Sequence, residues 1–222
     1  PAPNTLRYSG KIELDHLSGQ LADPAIAVKD VAFSISADNH KMVVNSASFS
    51  YNNTTGTLKG YVEDYTSLLN KNSDAKLVGK LTVNNLTVNE LYGANTAVSQ
   101  NENSTKELLP IQLNLQTTLT NFRFNDFTAN KMEGDLISNR TSLRMPKCKI
   151  DALGGSTLAA IAIQKWGENH LLDINSELSN INISELFKQF NNFEQTEITD
   201  KNISGTLAGN ILAKVILDKN FE

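Results

Sequence analysis

Apolar and polar residues alternate along most of this 222-residue chain, the period-two pattern of strands with one buried and one wet face. In 111–119 the apolar set falls on odd positions, at Ile111, Leu113, Leu115 and Leu119. At three places the alternation changes phase on an asparagine. Leu81 and Val83 give way to Leu86 and Val88, Leu119 to Phe122 and Phe124, and Ile174 and Leu178 to Ile181 and Ile183. A shared cadence surrounds these points: NLTVNEL (85–91), NFRFNDF (121–127) and NINISEL (180–186), with a weaker copy lacking the leading Asn in AIAVKDV (25–31). Side-chain direction in a strand has period two, so each change of phase requires a bulge or a bend. Asparagine tolerates left-handed backbone angles and can bond its own backbone two residues on, so the recurring Asn residues read as geometry and not as ligand contacts. The pattern predicts a mainly all-β chain, an elongated and curved antiparallel sheet built from kinked repeats, with one or two short helices.

Strands are expected at 8–17, closed by a Ser18-Gly19 turn, and in a hairpin of 25–36 with 41–51 around Asp38-Asn39-His40. A turn at Asn52 to Gly56 leads to a strand from 57, a short helical turn over 64–69, and a strand over 76–83. The polar, aperiodic stretch 94–107 reads as a long loop. A meander comes next: 111–119 into 121–128, then 130–138 and 141–152 across Asn139-Arg140. Gly154-Gly155 turns the chain into 156–165, Trp166 to Asn169 turns it into 170–178, and 203–217 is a last strand. Leu186, Phe187, Phe190 and Phe193 recur at three and four, which predicts a helix within 184–193 capped by Ser184. Segment 156–163 is apolar on both faces, Leu158, Ala160 and Ala162 on one and Ala159, Ile161 and Ile163 on the other. It reads as a central strand packed on both sides; the alternative is one face on a helix and the other lining an apolar groove. The organisation is one elongated repeat region over 1–222, with N-terminal repeats (1–93), the polar loop (94–107) and a second set of repeats (108–222).

Composition narrows the function classes. Hydrophobic content of 40% and aromatic content of 7% suit a thin, elongated sheet. A net charge of −4 without a basic stripe argues against nucleic acid. The single Cys148 excludes an internal disulfide and a Cys-based zinc site. The longest apolar run, Leu158 to Ile163, is far short of the ~20 residues a membrane helix needs. The two ends, PAPNTLRYSG and DKNFE, read as cuts from a longer protein, so a membrane anchor in the parent stays open.

Candidate chemistry is sparse. Asp126, Glu133, Asp135, Asp151, Glu185 and Asp200 sit at turn or solvent-facing positions of alternating strands, where a carboxylate is simply hydrated. His16, His40 and His170 form no HxH or HxxxH pair, so no metal site is expected. Ser156 follows two glycines but lacks the GxSxG elbow, and GGSTLAA lacks the ending of a phosphate loop. The sequons at Asn53, Asn85, Asn139 and Asn202 are what an Asn-rich chain produces by chance. Lys147 and Lys149 should point away from Cys148, which reads as an ordinary packed residue. No catalytic residue, metal ligand or cofactor is expected.

The second half carries a family resemblance. The run from Leu113 through Gly154-Gly155 to Ile163, then Asn182-Ile183 to Phe187, Asn192-Phe193-Glu194-Gln195-Thr196 and Asp200-Lys201-Asn202 resemble the C-terminal region of AsmA-like (AsmA/TamB-type) proteins. Glu194 departs from the Gly of that pattern. The match covers roughly 111–217; the first half fits in cadence alone. The resemblance implies a periplasmic region of an envelope protein whose parent is tethered to the inner membrane. It also implies a taco-like sheet with an apolar inner face that holds or conducts phospholipid for outer-membrane assembly.

Physical chemistry supports that use. Each exposed CH₂ of an acyl chain costs about 0.8 kcal/mol in water, so a lipid needs continuous apolar shielding and no catalytic group. The residues expected to line a concave groove are Leu81, Val83, Leu113, Leu115, Leu119, Ile161, Ile163, Ile174 and Leu178. The expected function is non-enzymatic, with lipid acyl chains and other envelope proteins as partners. A scaffold with a closed β core that binds envelope proteins is the rival reading. A carbohydrate-binding sandwich is weaker, because Trp166 and five Tyr offer no obvious stacking platform.

Overall fold

A computed structural model describes residues 9–20, 27–38, 41–69, 75–89, 111–139, 141–166 and 168–218. Within these lie β1 (Ser9–Gln20), β2 (Ala27–Asp38), β3 (Met42–Tyr51), β4 (Thr54–Glu63), β5 (Lys76–Asn84) and β6 (Gln112–Phe124). They are followed by β7 (Phe127–Ser138), β8 (Ser142–Ala152), β9 (Gly155–Trp166), β10 (Asn169–Asn182), a helix α1 (Ile183–Gln189) and β11 (Thr206–Leu217). A 3-10 turn, Tyr65–Leu69, follows β4, and a second, Asn191–Glu194, follows α1. All eleven strands form one open sheet in chain order, so β1 and β11 are its two edges. At ~4.8 Å per strand the sheet is about 50 Å across. Neighbours pair antiparallel throughout except β5 and β6, which are parallel. A parallel pair needs a crossover of a dozen or more residues, and 85–111 supplies it. The loop expected at 94–107 lies in that connection, outside the described residues.

Register, not sequence proximity, builds one apolar face. Ile12 faces Ile35, Ile35 faces Val44, and Val44 faces Gly60. Gly60 faces Gly79, Gly79 faces Leu115, and Leu115 faces Leu136. Beyond a register shift between β7 and β8 the row resumes as Met145, Ile161, Ile174 and Ala213. The opposite face is polar over most of its width, as in the row Lys59, Lys80, Gln116 and Asp135. Its ion pairs, Lys11–Glu13 at 2.6 Å and Lys131–Glu133 at 2.8 Å, are half-exposed and add little stability. The buried cluster on the apolar side draws Val83, Leu119, Met132, Met145, Cys148, Ile150 and Ala159 from β5 to β9.

All three expected kink residues take left-handed angles: Asn85 (φ 57°), Asn121 (φ 51°) and Asn180 (φ 55°). Each bends the chain differently. Asn85 follows the end of β5, and Asn180 accompanies a register shift between Leu178 and Ile181. Asn121 turns within β6 without a shift, and Leu119 and Phe122 both stay with the core. A bulge is therefore not obligatory; one left-handed residue redirects the side chains. The first two copies lie side by side. Parallel pairing sets residues 36 apart against each other, so Asn121 Nδ2 donates to Asn85 Oδ1 at 2.9 Å. One turn on, the Asn125 backbone N–H donates to Asn89 Oδ1 at 2.7 Å.

Four local expectations need correction. Segment 156–163 is not packed on both sides: Ala159 is buried, whereas Leu158 is 42% exposed and Ala160 is exposed. The helix begins one residue early and is capped by Asn182, whose side chain accepts from the Glu185 N–H. Ser184 instead donates its hydroxyl to the Asp200 carbonyl. That helix stops at Gln189, because Asn191 to Glu194 all take positive φ. The double glycine turns one residue earlier than expected, at Leu153-Gly154, both left-handed (φ 54° and 69°) as a primed hairpin turn requires. Finally, β1 runs through Ser18-Gly19, absorbing two register shifts where a turn was expected.

Gly60 and Gly79 face each other on the apolar side, and a Cβ on either would strike the opposite backbone. A Cβ on Gly79 would strike the Lys59 carbonyl oxygen, whereas one on Gly10 meets nothing within 4 Å. Gly79→Val should therefore lower thermal stability by about 1–3 kcal/mol through overpacking, and Gly10→Val should leave the melting curve nearly unchanged. Equal melts for the two variants would contradict this packing.

Candidate functional site

The apolar face is the surface on which the expected groove residues meet. Val83, Leu119, Met132, Ile150, Thr157 and Leu178 form one cross-strand row. Leu113, Ser138, Leu143 and Ile163 form another, Ile161 and Ile174 share the long row with Leu115, and Leu81 pairs with Thr117. All nine candidates thus lie on one side. Their exposure divides them. Val83, Leu115 and Leu119 are buried, at 5%, 3% and 9% exposed, while the other six are half-buried. The intervening Gln112, Asn114 and Gln116 stand on the opposite face, where Gln116 meets Asp135.

The nine candidates do not make up the whole of this face. Met145, Cys148 and Ile150 belong to it, but two register shifts around Pro146-Lys147 break the period within β8. Proline lacks a ladder donor and sits where the pairing is already interrupted. Ile12, Ile35 and Val44 extend the face through the first half of the chain.

The groups that could do chemistry are elsewhere or muted. Burial pushes the Cys148 thiol up from 9.0 to about 11, and the side chain is wholly buried. Lys149 is exposed and Lys147 lies in the bulge, so neither lowers it. On the polar face, a hydrogen bond from Lys131 holds the Glu133 carboxyl below its usual range, and Lys11 does the same to Glu13. Such carboxyls stay ionised, the opposite of what a general acid needs. Asp126, Asp135 and Glu185 are exposed, and Asp151 and Asp200 are half-buried. Among the described residues no group of His, Cys, Asp and Glu is arranged to hold a metal ion. No described helix is long and apolar enough to cross a membrane.

Two surface depressions, the first mainly polar and the second mixed, lie apart from the nine. One, of about 570 Å³, sits where the two Asn copies meet and is lined by Asn53, Asn85, Asn121, Arg123, Thr128 and Asn130 among others. Its walls come from parallel pairing of segments 36 residues apart, and the repeated cadence was the sequence signal for it. The other, of about 350 Å³, lies between Glu13, Asp15, Ser34, Ser48 and Lys59. Beside the first depression α1 is tied across to β7, where Gln189 Nε2 donates to the Thr128 hydroxyl. Phe187 and Phe193 meet edge to face at 5.1 Å beside it.

No protein-family model, no curated protein and no solved structure matches this chain.

The raised Cys148 pKa has a pH signature. The folded thiol keeps its proton to about 11 and the unfolded one loses it near 9.0. The folded state thus holds more protons between these values, and stability falls as pH rises through that window. Cys148→Ala should flatten the loss between pH 9 and about 11, measured by urea denaturation. At pH 8 the native thiol should react with a disulfide reagent only as fast as the chain unfolds. Rapid stoichiometric labelling of folded protein would contradict the burial.

Proposed function

We propose that this chain holds lipid acyl chains along the apolar face of its sheet, without catalysis, as a periplasmic region of an AsmA-like envelope protein serving outer-membrane assembly. The supporting observation is the strand pairing that sets Ile12, Ile35, Val44, Leu115, Met145, Ile161 and Ile174 on one side of a single open sheet. An open sheet with one apolar face can shield an acyl chain along its length, which a hydrated face cannot. The half-buried positions Leu81, Leu113, Ile161, Ile163, Ile174 and Leu178 are the surface such a chain would touch. The envelope setting rests on the resemblance of residues 111–217.

One observation favours the scaffold reading. Val83, Leu115, Leu119 and Cys148 are already covered, as the centre of a closed core would be. The readings separate at the half-buried positions. On the lipid reading, Ile163→Asp and Ile174→Asp each strand a charge against acyl chains while the domain still folds. Native mass spectrometry of protein extracted gently from membranes should then show lipid on the parent and loss of it from both variants, with melting temperatures close to the parent. Leu115→Asp, at a buried position, should cost several kcal/mol and serves as the core control. Folded variants carrying as much lipid as the parent would refute the lipid reading. Unfolding by Ile163→Asp and Ile174→Asp, as severe as by Leu115→Asp, would favour the scaffold.

A further inference from the structure

The two edges of the sheet differ in kind. Register shifts flank Leu17 in β1, His16 is left-handed (φ 54°), and Lys11, Glu13 and Asp15 line its polar side. Bulges and charges are the devices that keep an edge strand from recruiting another chain. β11 carries fewer of these devices. From Gly209 to Leu217 it pairs with β10 without a shift, and its one charged residue, Lys214, lies 3.2 Å from Asp173 of the same chain. It is apolar on both faces and exposed on both. Ile211 and Val215 are 43% and 42% exposed on the apolar side, and Leu212 and Ile216 are 78% and 61% exposed on the other.

An edge strand leaves one set of backbone donors and acceptors free, and another strand satisfies them best. We propose that β11 pairs antiparallel with β11 of a second copy, about a two-fold axis through Leu212 normal to the sheet. That register sets Leu212 against itself, Asn210 against Lys214 and Ala208 against Ile216 on one face. On the other it sets Ile211 against Ala213, Gly209 against Val215 and Leu207 against Leu217. Large residues meet small ones at three of the six pairings, and no like charges oppose each other. Open space beside Gly209, where a Cβ would meet nothing within 4 Å, leaves room for the partner's valine. β1 is the poorer partner, because it would set its bulge and charges against Leu212 and Ile216. A two-fold interface is self-complementary and closed, so it ends at the dimer, whereas β11 on β1 would propagate into fibres. The axis leaves both apolar faces on the same side, so the row containing Ile174 and Ala213 continues into the second copy. The pairing does not depend on the lipid reading.

The test uses sedimentation equilibrium on the 222-residue protein. The parent should dimerise. Leu212→Lys and Leu212→Glu should each be monomeric, because identical charges meet at the axis, and an equimolar mixture of the two should dimerise again. Leu212 is largely exposed in the single chain, so both variants should keep the parent's strand-rich circular dichroism as monomers. As a second measurement, Leu212→Cys should oxidise to a disulfide-linked dimer, since directly opposed strand residues bring Cβ atoms to ~5 Å. A parent that stays monomeric to its solubility limit would overturn the proposal. So would a dimer that survives both charged variants, or a mixture of them that stays monomeric.

Discussion

The parallel pairing of β5 with β6 is the contact on which the rest of the sheet depends. Every other neighbouring pair is antiparallel. Those pairs belong to two meanders, β1–β5 and β6–β11, each held largely by local turns. The one crossover pair joins them, from Lys76 beside Gln112 to Asn84 beside Thr120. A slip of one residue there would rotate the apolar side of one meander onto the polar side of the other. Register is protected at the end of the pair by side chains. Asn85 and Asn121 hydrogen-bond to each other, and the Asn85 N–H reaches the Thr120 carbonyl at 2.8 Å. Close approach of Gly60 and Gly79 in the adjoining pair adds a steric lock.

The asparagines explain how a strand can serve two directions. A left-handed residue costs little at Asn compared with a branched side chain, because its short amide bonds locally. The same cadence then leads to different elements. After Asn180 the chain enters α1, with Asn182 as the cap. After Asn121 it runs on to the Asn125-Asp126 hairpin turn. Residues beyond the bend decide the continuation: Ser184 finds the Asp200 carbonyl, and Asn125 finds Asn89 of the neighbouring copy.

Polarity separates the two faces and explains the sparse chemistry. Carboxylates and lysines cluster on the wet side, where ion pairs hold Glu13 and Glu133 ionised. The one thiol is on the dry side and keeps its proton. The separation weakens towards β9 and β11, where Leu158, Leu212 and Ile216 stand exposed on the outer face. Exposure there, and not in the centre, marks the part of the sheet suited to further contacts.

Strand positions, the apolar side of β5, β6 and β10, and the three bends were legible in the sequence. Alternation and Asn chemistry are local, and local rules decide them. Gly79 opposite Gly60, Asn85 against Asn121, and the place of Met145 on the apolar face were not. They depend on which strands pair and in what register, and residues 36 apart become neighbours only through the crossover. Segment 156–163 illustrates the division. Its residues are apolar on both sides and announce a strand, but composition carries no information about whether a second layer covers the outer side. Tertiary structure left Leu158 in water and put Ala159 in the core, because a strand's own pattern fixes its period while its neighbours decide which face is covered.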